Sequence, residues 1–368
     1  MTIRILALVG DCYGAQGGIA RYNQDLFEAL AQGGAEILIM PRLGDAASLG
    51  LPPRVRQNPA IFGWLRYSLA SVAAAWRLRR VDVVFCGHVF MAPLAWLLAR
   101  LFGARYWLQA HGIDSLAIGR GRLRRAVEAA DLVTTVSRAT RKSLLERANL
   151  LPEHVRVLPN TVRGLFSPGA PSAALRARLG LGSGPVLLTV GRLAASERYK
   201  GHEQIFAALP ALRAEFPNLV HLVAGEGDDR ARLEQRALEL TGDESAVRFL
   251  GYVPEEQLPD LYRLADLFVM PSSLEGFGIV YLEAAACGLR VVGGVGGGSA
   301  DAIPDTRVGV TVEPKDGASL IAAIKWSLGQ GRADQTAVEP YRQSHFAAAA
   351  NRLLVRLTPD AHAEKSIA

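Results

Sequence analysis

Arg192 and Lys200 fall in the stretch Gly191-Arg192-Leu193-Ala-Ala-Ser-Glu197-Arg198-Tyr199-Lys200-Gly201, directly after the apolar run 186–190. If that run is a strand of a parallel sheet, both cations sit in the strand-to-helix loop at its C-terminal edge, where ligands of such sheets bind. A fixed pair of cations there suits a diphosphate; the plainer alternative is two solvated loop charges. Glu275 and Glu283 belong to a second such unit, Pro271-Ser272-Ser-Leu-Glu275-Gly276-Phe277-Gly278-Ile279-Val280-Tyr-Leu-Glu283, after the run 267–270. Its glycines let backbone pass close to a ligand, and a helix opening near Gly278 aims free N–H groups outward. Glu275 then lies in the loop and Glu283 about a turn and a half into the helix. Paired carboxylates can flank a glycosidic bond, but two within one loop–helix unit are better suited to holding hydroxyls.

A third glycine-rich turn, Gly10-Asp-Cys-Tyr-Gly14-Ala-Gln-Gly17-Gly18-Ile-Ala-Arg21, opens a helix after the first apolar run. A phosphate can approach such a helix start closely, although glycine also serves ordinary turns. It is not the GxGxxG fingerprint, and neither GxxxxGK[ST] nor D-x-D occurs, Glu226-Gly-Asp228 being a weak substitute for the latter. Cys12, Cys86 and Cys287 form no CxxC pair, so no zinc site, no disulfide framework and no resident cofactor or metal is expected, and a reducing cytoplasm fits best.

The elements that must position these residues alternate without a break. Strands are expected at 3–9, 36–40, 83–86, 105–109, 132–136 and 155–158, then at 186–190, 219–224, 247–250, 267–270, 290–292 and 308–312, with helical patterns such as 18–32 between them. Strand, helix, strand in series means parallel sheets covered on both faces, and 368 residues suffice for two of them. The fold class expected is therefore α/β, two doubly wound Rossmann-like domains whose natural site is the cleft between them. Boundaries are placed at 1–165, 166–335 and 336–368, the last comprising a helix over 341–357 that returns to the first domain, and a tail.

The formal net charge of +6 conceals an asymmetry: residues 1–160 hold 20 Lys and Arg against 11 Asp and Glu, a net of +9, leaving 21 against 24, a net of −3, for the rest. Nucleic acid is not expected, because no reader motif or interleaving of basic and stacking aromatic residues accompanies the charge. Between Asp45 and Asp82 there is no acidic residue, yet Arg54, Arg56, Arg66, Arg77, Arg79 and Arg80 fall there. Within 61–80, Ile61, Leu65, Leu69, Val72 and Trp76 recur at helical spacing, with Trp64 and Tyr67 as interfacial aromatics and Arg120, Arg122, Arg124 and Arg125 as an extension of the patch. Such a helix can lie at an anionic membrane surface or simply pack on a sheet. No run is long and clean enough to span a bilayer.

Taken together, Gly17-Gly18, His111-Gly112, Gly191-Arg192-Leu193 with Lys200-Gly201, Gly225-Glu226-Gly227, Gly251-Tyr252-Val253 and the E-x7-E element from Glu275 to Glu283 resemble the family 4 (group 1) retaining glycosyltransferases, over nearly the whole chain and most strongly in 186–303. The resemblance implies the two-Rossmann-domain architecture called GT-B, with an acceptor-binding first domain and a nucleotide-sugar-binding second. It implies that Arg192 and Lys200 clamp the diphosphate of a UDP or GDP sugar and that Gly17 and Gly18 approach it. Glu275, with Gly276, Phe277, Gly278 and Ile279, would hold the transferred sugar; Glu283 would bind the ribose; Tyr252 and Val253 would flank the base; and His111 would contact the sugar near its reacting carbon. The activity implied is metal-independent hexosyl transfer to a saccharide or lipid-linked acceptor in bacterial surface polysaccharide or glycolipid assembly, peripheral to the inner face of the membrane. A sugar-nucleotide epimerase and a non-catalytic nucleotide-sugar-binding subunit are the alternatives. Two departures stand out: the Arg192-to-Lys200 spacing is lengthened by 194–198, and Asn160-Thr161-Val162 replaces the usual Asn-Gly-Val.

Overall fold

The computed structural model describes residues 2–43 and 50–359. The chain forms two compact units, one running to Thr161 and resuming at Gln343, the other comprising Val162–Arg342. In the first, seven strands form one sheet: β1 (Arg4–Val9), β2 (Glu36–Pro41), β3 (Val55–Gln57), β4 (Val83–Cys86), β5 (Arg105–Ala110), β6 (Leu132–Thr135) and β7 (Val155–Val157). Their order is β3-β2-β1-β4-β5-β6-β7, all neighbours parallel, with Ile5 opposite Ile37 on one side and Val83 on the other. The second unit holds β8 (Val186–Val190), β9 (Val220–Ala224), β10 (Val247–Gly251), β11 (Leu267–Met270), β12 (Val291–Gly294) and β13 (Gly309–Val312), ordered β10-β9-β8-β11-β12-β13 and again parallel throughout. Each order reverses direction beside its first strand, which places the ligand-binding crevice of a doubly wound sheet past the C-terminal ends of β1 and β4 in one unit and of β8 and β11 in the other.

The central strands are largely apolar because helices cover both faces; every residue of β4, β9, β11 and β12 is buried, and the one basic side chain among them, His221 of β9, is paired with Thr189 of β8 at 2.8 Å. The twelve strands expected from the apolar runs all form, within two residues of their expected ends. The thirteenth, β3, escapes the pattern because it is three residues long at the edge of the sheet, preceded by Pro52 and Pro53, and only Val55 is buried. The helix Gly18–Gln32 has the expected limits. Gly17 before it adopts φ 110°, a left-handed region that L side chains avoid.

The last helix, Gln343–Leu357, buries Phe346, Ala350 and Leu354 against Gly18–Gln32. Asn351 Nδ2 donates to the Ala29 carbonyl at 2.9 Å, and the Phe346 ring meets Tyr22 edge-on with centroids 5.8 Å apart. Residue 341, included in this helix on pattern alone, lies instead in a short turn that follows Pro340.

The arginine-rich segment forms a helix at Trp64–Arg77, and its two faces differ from the sequence expectation in one respect. Tyr67 is no interfacial aromatic: it is fully buried and its hydroxyl donates to the Met40 carbonyl at 2.7 Å, because it lies on the face with Ser71, Ala74 and Ala75 that packs on the sheet. Ile61 and Val72 are partly buried against the same core. On the opposite face Leu65, Leu69 and Trp76 are 74%, 63% and 73% exposed, and Trp64 lies under the Arg42 guanidinium. Of the two aspartates that bound this acid-free stretch, Asp45 lies outside the described residues.

Replacing Phe346 with Ala should destabilise the first unit by about 3–5 kcal/mol, the usual result of emptying a buried aromatic site. Urea unfolding followed by tryptophan fluorescence, with four of the five tryptophans in that unit, would read it; an unchanged midpoint would mean that the helix contributes nothing to it.

Candidate functional site

In the second unit the motif residues converge through the loops that follow β8 to β12. The loop after β8 carries both cations, and they share one carboxylate. Glu197, itself buried, pairs with the Arg192 guanidinium through one oxygen and with Lys200 Nζ through the other, the latter at 2.6 Å. Lys200 Nζ also donates to the Arg192 carbonyl at 3.3 Å. The Lys200 side chain is 11% exposed and that of Arg192 74%, so one cation is fixed within the loop and the other projects from it. Glu197 belongs to the inserted 194–198 segment, so the lengthened spacing still leaves Lys200 folded back beside Gly191 and Arg192. Sequence reasoning passed over Glu197; the signal available was a lone acid between two cations that must be held in register.

Neighbouring loops pack backbone on backbone. A Cβ on Gly225, after β9, would stand 1.9 Å from the Gly191 carbonyl oxygen, and one on Gly297, after β12, would stand 2.1 Å from that of Glu275. The Ser273 N–H donates to the Tyr199 carbonyl at 2.8 Å and the Gly298 N–H to that of Glu275 at 2.7 Å, joining the loops after β8, β11 and β12. The glycine-rich stretch from Gly293 to Gly298, five glycines and Val295 at the end of β12 and just past it, is thus a second feature that sequence reasoning did not single out.

Glu275 sits in this packed region, partly buried, beside Gly276 and Phe277, and the helix Ile279–Ala286 opens after Gly278. Burial pushes its carboxyl up from 4.5 to about 7, opposed by the nearby Lys200 ammonium and reinforced by Glu197. Glu283 occupies a different setting: it is 4% exposed and accepts a hydrogen bond from the buried Tyr262 hydroxyl at 2.9 Å, within the packing of the helix rather than on an open face. Tyr252 is exposed just past β10, with Val253 half-buried next to it.

In the first unit, Gly17 and Gly18 follow β1 and His111 follows β5, at the same C-terminal edge of their sheet; among the described residues, chain neighbours aside, no atom comes within 4 Å of the space a Cβ would take at either glycine. The His111 ring is held by its Nε2, 3.1 Å from the Gly87 carbonyl oxygen, and by Tyr22 edge-on at 5.2 Å, while the backbone N–H of His111 donates to Asp114 Oδ1 at 2.9 Å. Burial pushes the imidazole down from 6.5 to about 4, so near neutral pH it is uncharged, and facing a carbonyl its Nε2 carries the proton. Tyr22 joins this histidine to Phe346 of the last helix.

Comparison with known proteins matches residues 173–345 to the model of glycosyl transferases group 1 and residues 16–163 to that of glycosyltransferase family 4. The D-inositol 3-phosphate glycosyltransferase of Geodermatophilus obscurus is 31% identical over 86% of this chain and 79% of its own length. The chain is a group 1, family 4 glycosyltransferase. This glycosyltransferase is also 35% identical to the GDP-mannose-dependent alpha-(1-6)-phosphatidylinositol monomannoside mannosyltransferase of Mycolicibacterium smegmatis, over 66% of each chain, and so spans just under two thirds of that relative's length. Its fold is that of the sucrose-phosphate synthase of Thermosynechococcus elongatus, with a TM-score of 0.80 over 97% of this chain and all of the other at 22% identity. The architecture is GT-B, two Rossmann-like domains with seven and six parallel strands.

The raised carboxyl of Glu275 yields a stability test. Between pH 4.5 and about 7 the unfolded chain releases a proton that the folded glycosyltransferase keeps, so the folded state binds more protons and stability falls as pH rises through that window. Glu275→Gln removes the effect, and its melting temperature relative to the parent should climb across the window and level off above it. A difference that stays constant with pH would show that the carboxyl is not held up by burial.

Proposed function

We propose that the protein is a retaining glycosyltransferase that moves a sugar from a nucleoside diphosphate to an acceptor hydroxyl on a lipid-linked saccharide or glycolipid of the bacterial surface. The observation that carries the reading is the Arg192–Glu197–Lys200 arrangement at the C-terminal edge of the second sheet, with Glu275 and a helix start beside it. When the bond from the sugar's anomeric carbon to the diphosphate breaks and the acceptor oxygen bonds that carbon, negative charge collects on the departing phosphate. Arg192 and Lys200, with the N–H groups opening the helix Ile279–Ala286, meet that charge where it forms, and preorganised donors need no rearrangement to do so. Glu275 holds sugar hydroxyls, Gly17 and Gly18 leave room for the phosphates, Tyr252 and Val253 lie beside the base, and His111 reaches the sugar as a neutral ring. Glu283 takes the ribose by exchanging its bond from Tyr262. The donor is a UDP or GDP sugar; the mannosyltransferase relative, by its name, uses GDP-mannose on a phosphatidylinositol mannoside.

The first unit meets the lipid acceptor at an anionic membrane surface on the cytoplasmic side. No described helix is long and apolar enough to cross a membrane. The exposed Leu65, Leu69 and Trp76, with Leu97 and Leu101 of the helix Ala92–Phe102 and the Arg66 and Arg77 flank, instead make an apolar stripe edged with positive charge, the composition of an interfacial helix.

With labelled UDP and GDP sugars and lipid acceptors, Arg192→Ala and Lys200→Ala should each lower turnover by about 10² to 10³ with the fold intact by circular dichroism, and the product should keep the donor's anomeric configuration by NMR. Near-normal turnover in both variants would refute the clamp, and conversion of the donor without an acceptor would favour the epimerase. The membrane contact is checked separately by co-sedimentation: binding to anionic vesicles should weaken as salt rises, because exposed charges are screened, and should be lost when Leu65, Leu69 and Trp76 are changed together to Ser. Absence of binding at low salt would leave a soluble acceptor.

A further inference from the structure

A second concentration of positive charge lies at the other end of the first sheet. Arg4, Arg56, Arg77 and Arg79 line a cavity of about 630 Å³ bordered by the starts of β1 and β2, by β3 and by the last turn of the helix Trp64–Arg77. Among the described residues that line it the one carboxylate is that of Glu36, so four guanidinium groups stand against one acid, a net of +3. Arg4 is fixed, its Nε donating to Glu36 at 3.2 Å and its terminal nitrogen to the Leu78 carbonyl at 3.2 Å. The side chains of Arg56, Arg77 and Arg79 make no hydrogen bond or ion pair with any described residue, and all three are exposed.

Unpaired arginines are ordinary on a surface. Three that line one cavity with an apolar floor, Leu38 and Ala74, are not accounted for by solvation alone. Nor is Arg79's backbone: it adopts φ 58°, a left-handed conformation that Gly or Asn would take at less cost, directly after a helix end where Gly is the usual residue. The residue at that position is an arginine, and it lines the same cavity as Arg4, Arg56 and Arg77. Planar forks of N–H donors match the paired oxygens of a phosphate, and the cavity has room for a phosphorylated polyol rather than a bare ion. Beside it, on the same helix, runs the exposed apolar stripe of Leu65, Leu69 and Trp76.

We infer that this cavity is a phosphate-ester site, separate from the donor and acceptor machinery at the C-terminal edges of the sheets, which takes the phosphate and polyol of a lipid headgroup or of a free sugar-alcohol phosphate. Only the lipid source rests on the membrane reading. The test compares two triple variants with equal loss of charge: Arg56, Arg77 and Arg79 all changed to Gln, and Arg120, Arg122 and Arg125 all changed to Gln as the control, each checked for an unchanged melting temperature. Calorimetry with glycerol 1-phosphate and myo-inositol 1-phosphate reads the free source, and co-sedimentation with vesicles of phosphatidylcholine and phosphatidylglycerol in equal parts reads the lipid source. For either source, the cavity variant should bind about a hundredfold more weakly than the parent, and the control should lose far less, because phosphate contacts made in a cavity are local while diffuse attraction is shared by all exposed arginines. Binding of the soluble esters without vesicle binding leaves the site standing and removes the membrane reading. Vesicle binding reduced equally by both triple variants, with no titration by either ester, leaves the membrane reading standing and overturns the site.

Discussion

Past the ends of β9, β8, β11 and β12, the chain brings main chain against main chain with no side chain between. Gly225 against Gly191 and Gly297 against Glu275 are contacts that an alanine methyl would occupy. This closeness gives the loops one shared shape, in which Glu197, Lys200 and Glu275 hold their positions by packing rather than by chance rotamers. A carboxylate that serves two cations is stable only if both are kept from swinging away, and the interlocked loops supply that restraint. The cost is a carboxyl at Glu275 with little water to ionise into.

The two units answer different physical demands. The second has a slight excess of acid, and the cations of its candidate site are held individually. The first carries its excess of arginine on its surface, and its one candidate reactive side chain, His111, is partly buried and uncharged near neutral pH. Under the proposed function the division suits both tasks: a small, highly charged donor needs a few cations placed accurately, whereas an extended surface needs many placed loosely. The helix Trp64–Arg77 shows both requirements on one cylinder, with Tyr67 anchored to Met40 inside and Leu65, Leu69 and Trp76 outside.

Period and composition were enough to expect both sheets, because parallel strands covered on two faces are apolar throughout and cannot be mistaken for amphipathic ones. They were blind to β3, whose three residues contain one buried side chain. The motif residues Arg192, Lys200 and Glu275 were legible because glycine and charge stand together right after strands. Glu197 was not, since its role depends on a loop folding back on itself, and nothing in a linear spacing states which of two nearby cations an acid will meet. Tyr67 misled for a related reason: an aromatic on a basic helix reads as interfacial until the helix's rotation about its axis is known, and that rotation is set by the sheet below. The buried setting of Glu283 likewise depends on Tyr262, twenty-one positions away and in a separate helix.

The helix Gln343–Leu357 belongs to the first unit, although the whole of the second unit precedes it in the chain. During synthesis from the N-terminus, the first sheet therefore emerges complete in its strands while the face of Gly18–Gln32 that this helix covers still lacks its partner. The intervening unit is continuous and can close on itself as soon as Arg342 is made. The order of completion is inverted with respect to the order of translation: the second unit can close first, and the histidine that Tyr22 links to Phe346 acquires these neighbours only with the helix Gln343–Leu357. A nascent chain stalled before that point would carry a complete second unit and a first unit still without this helix.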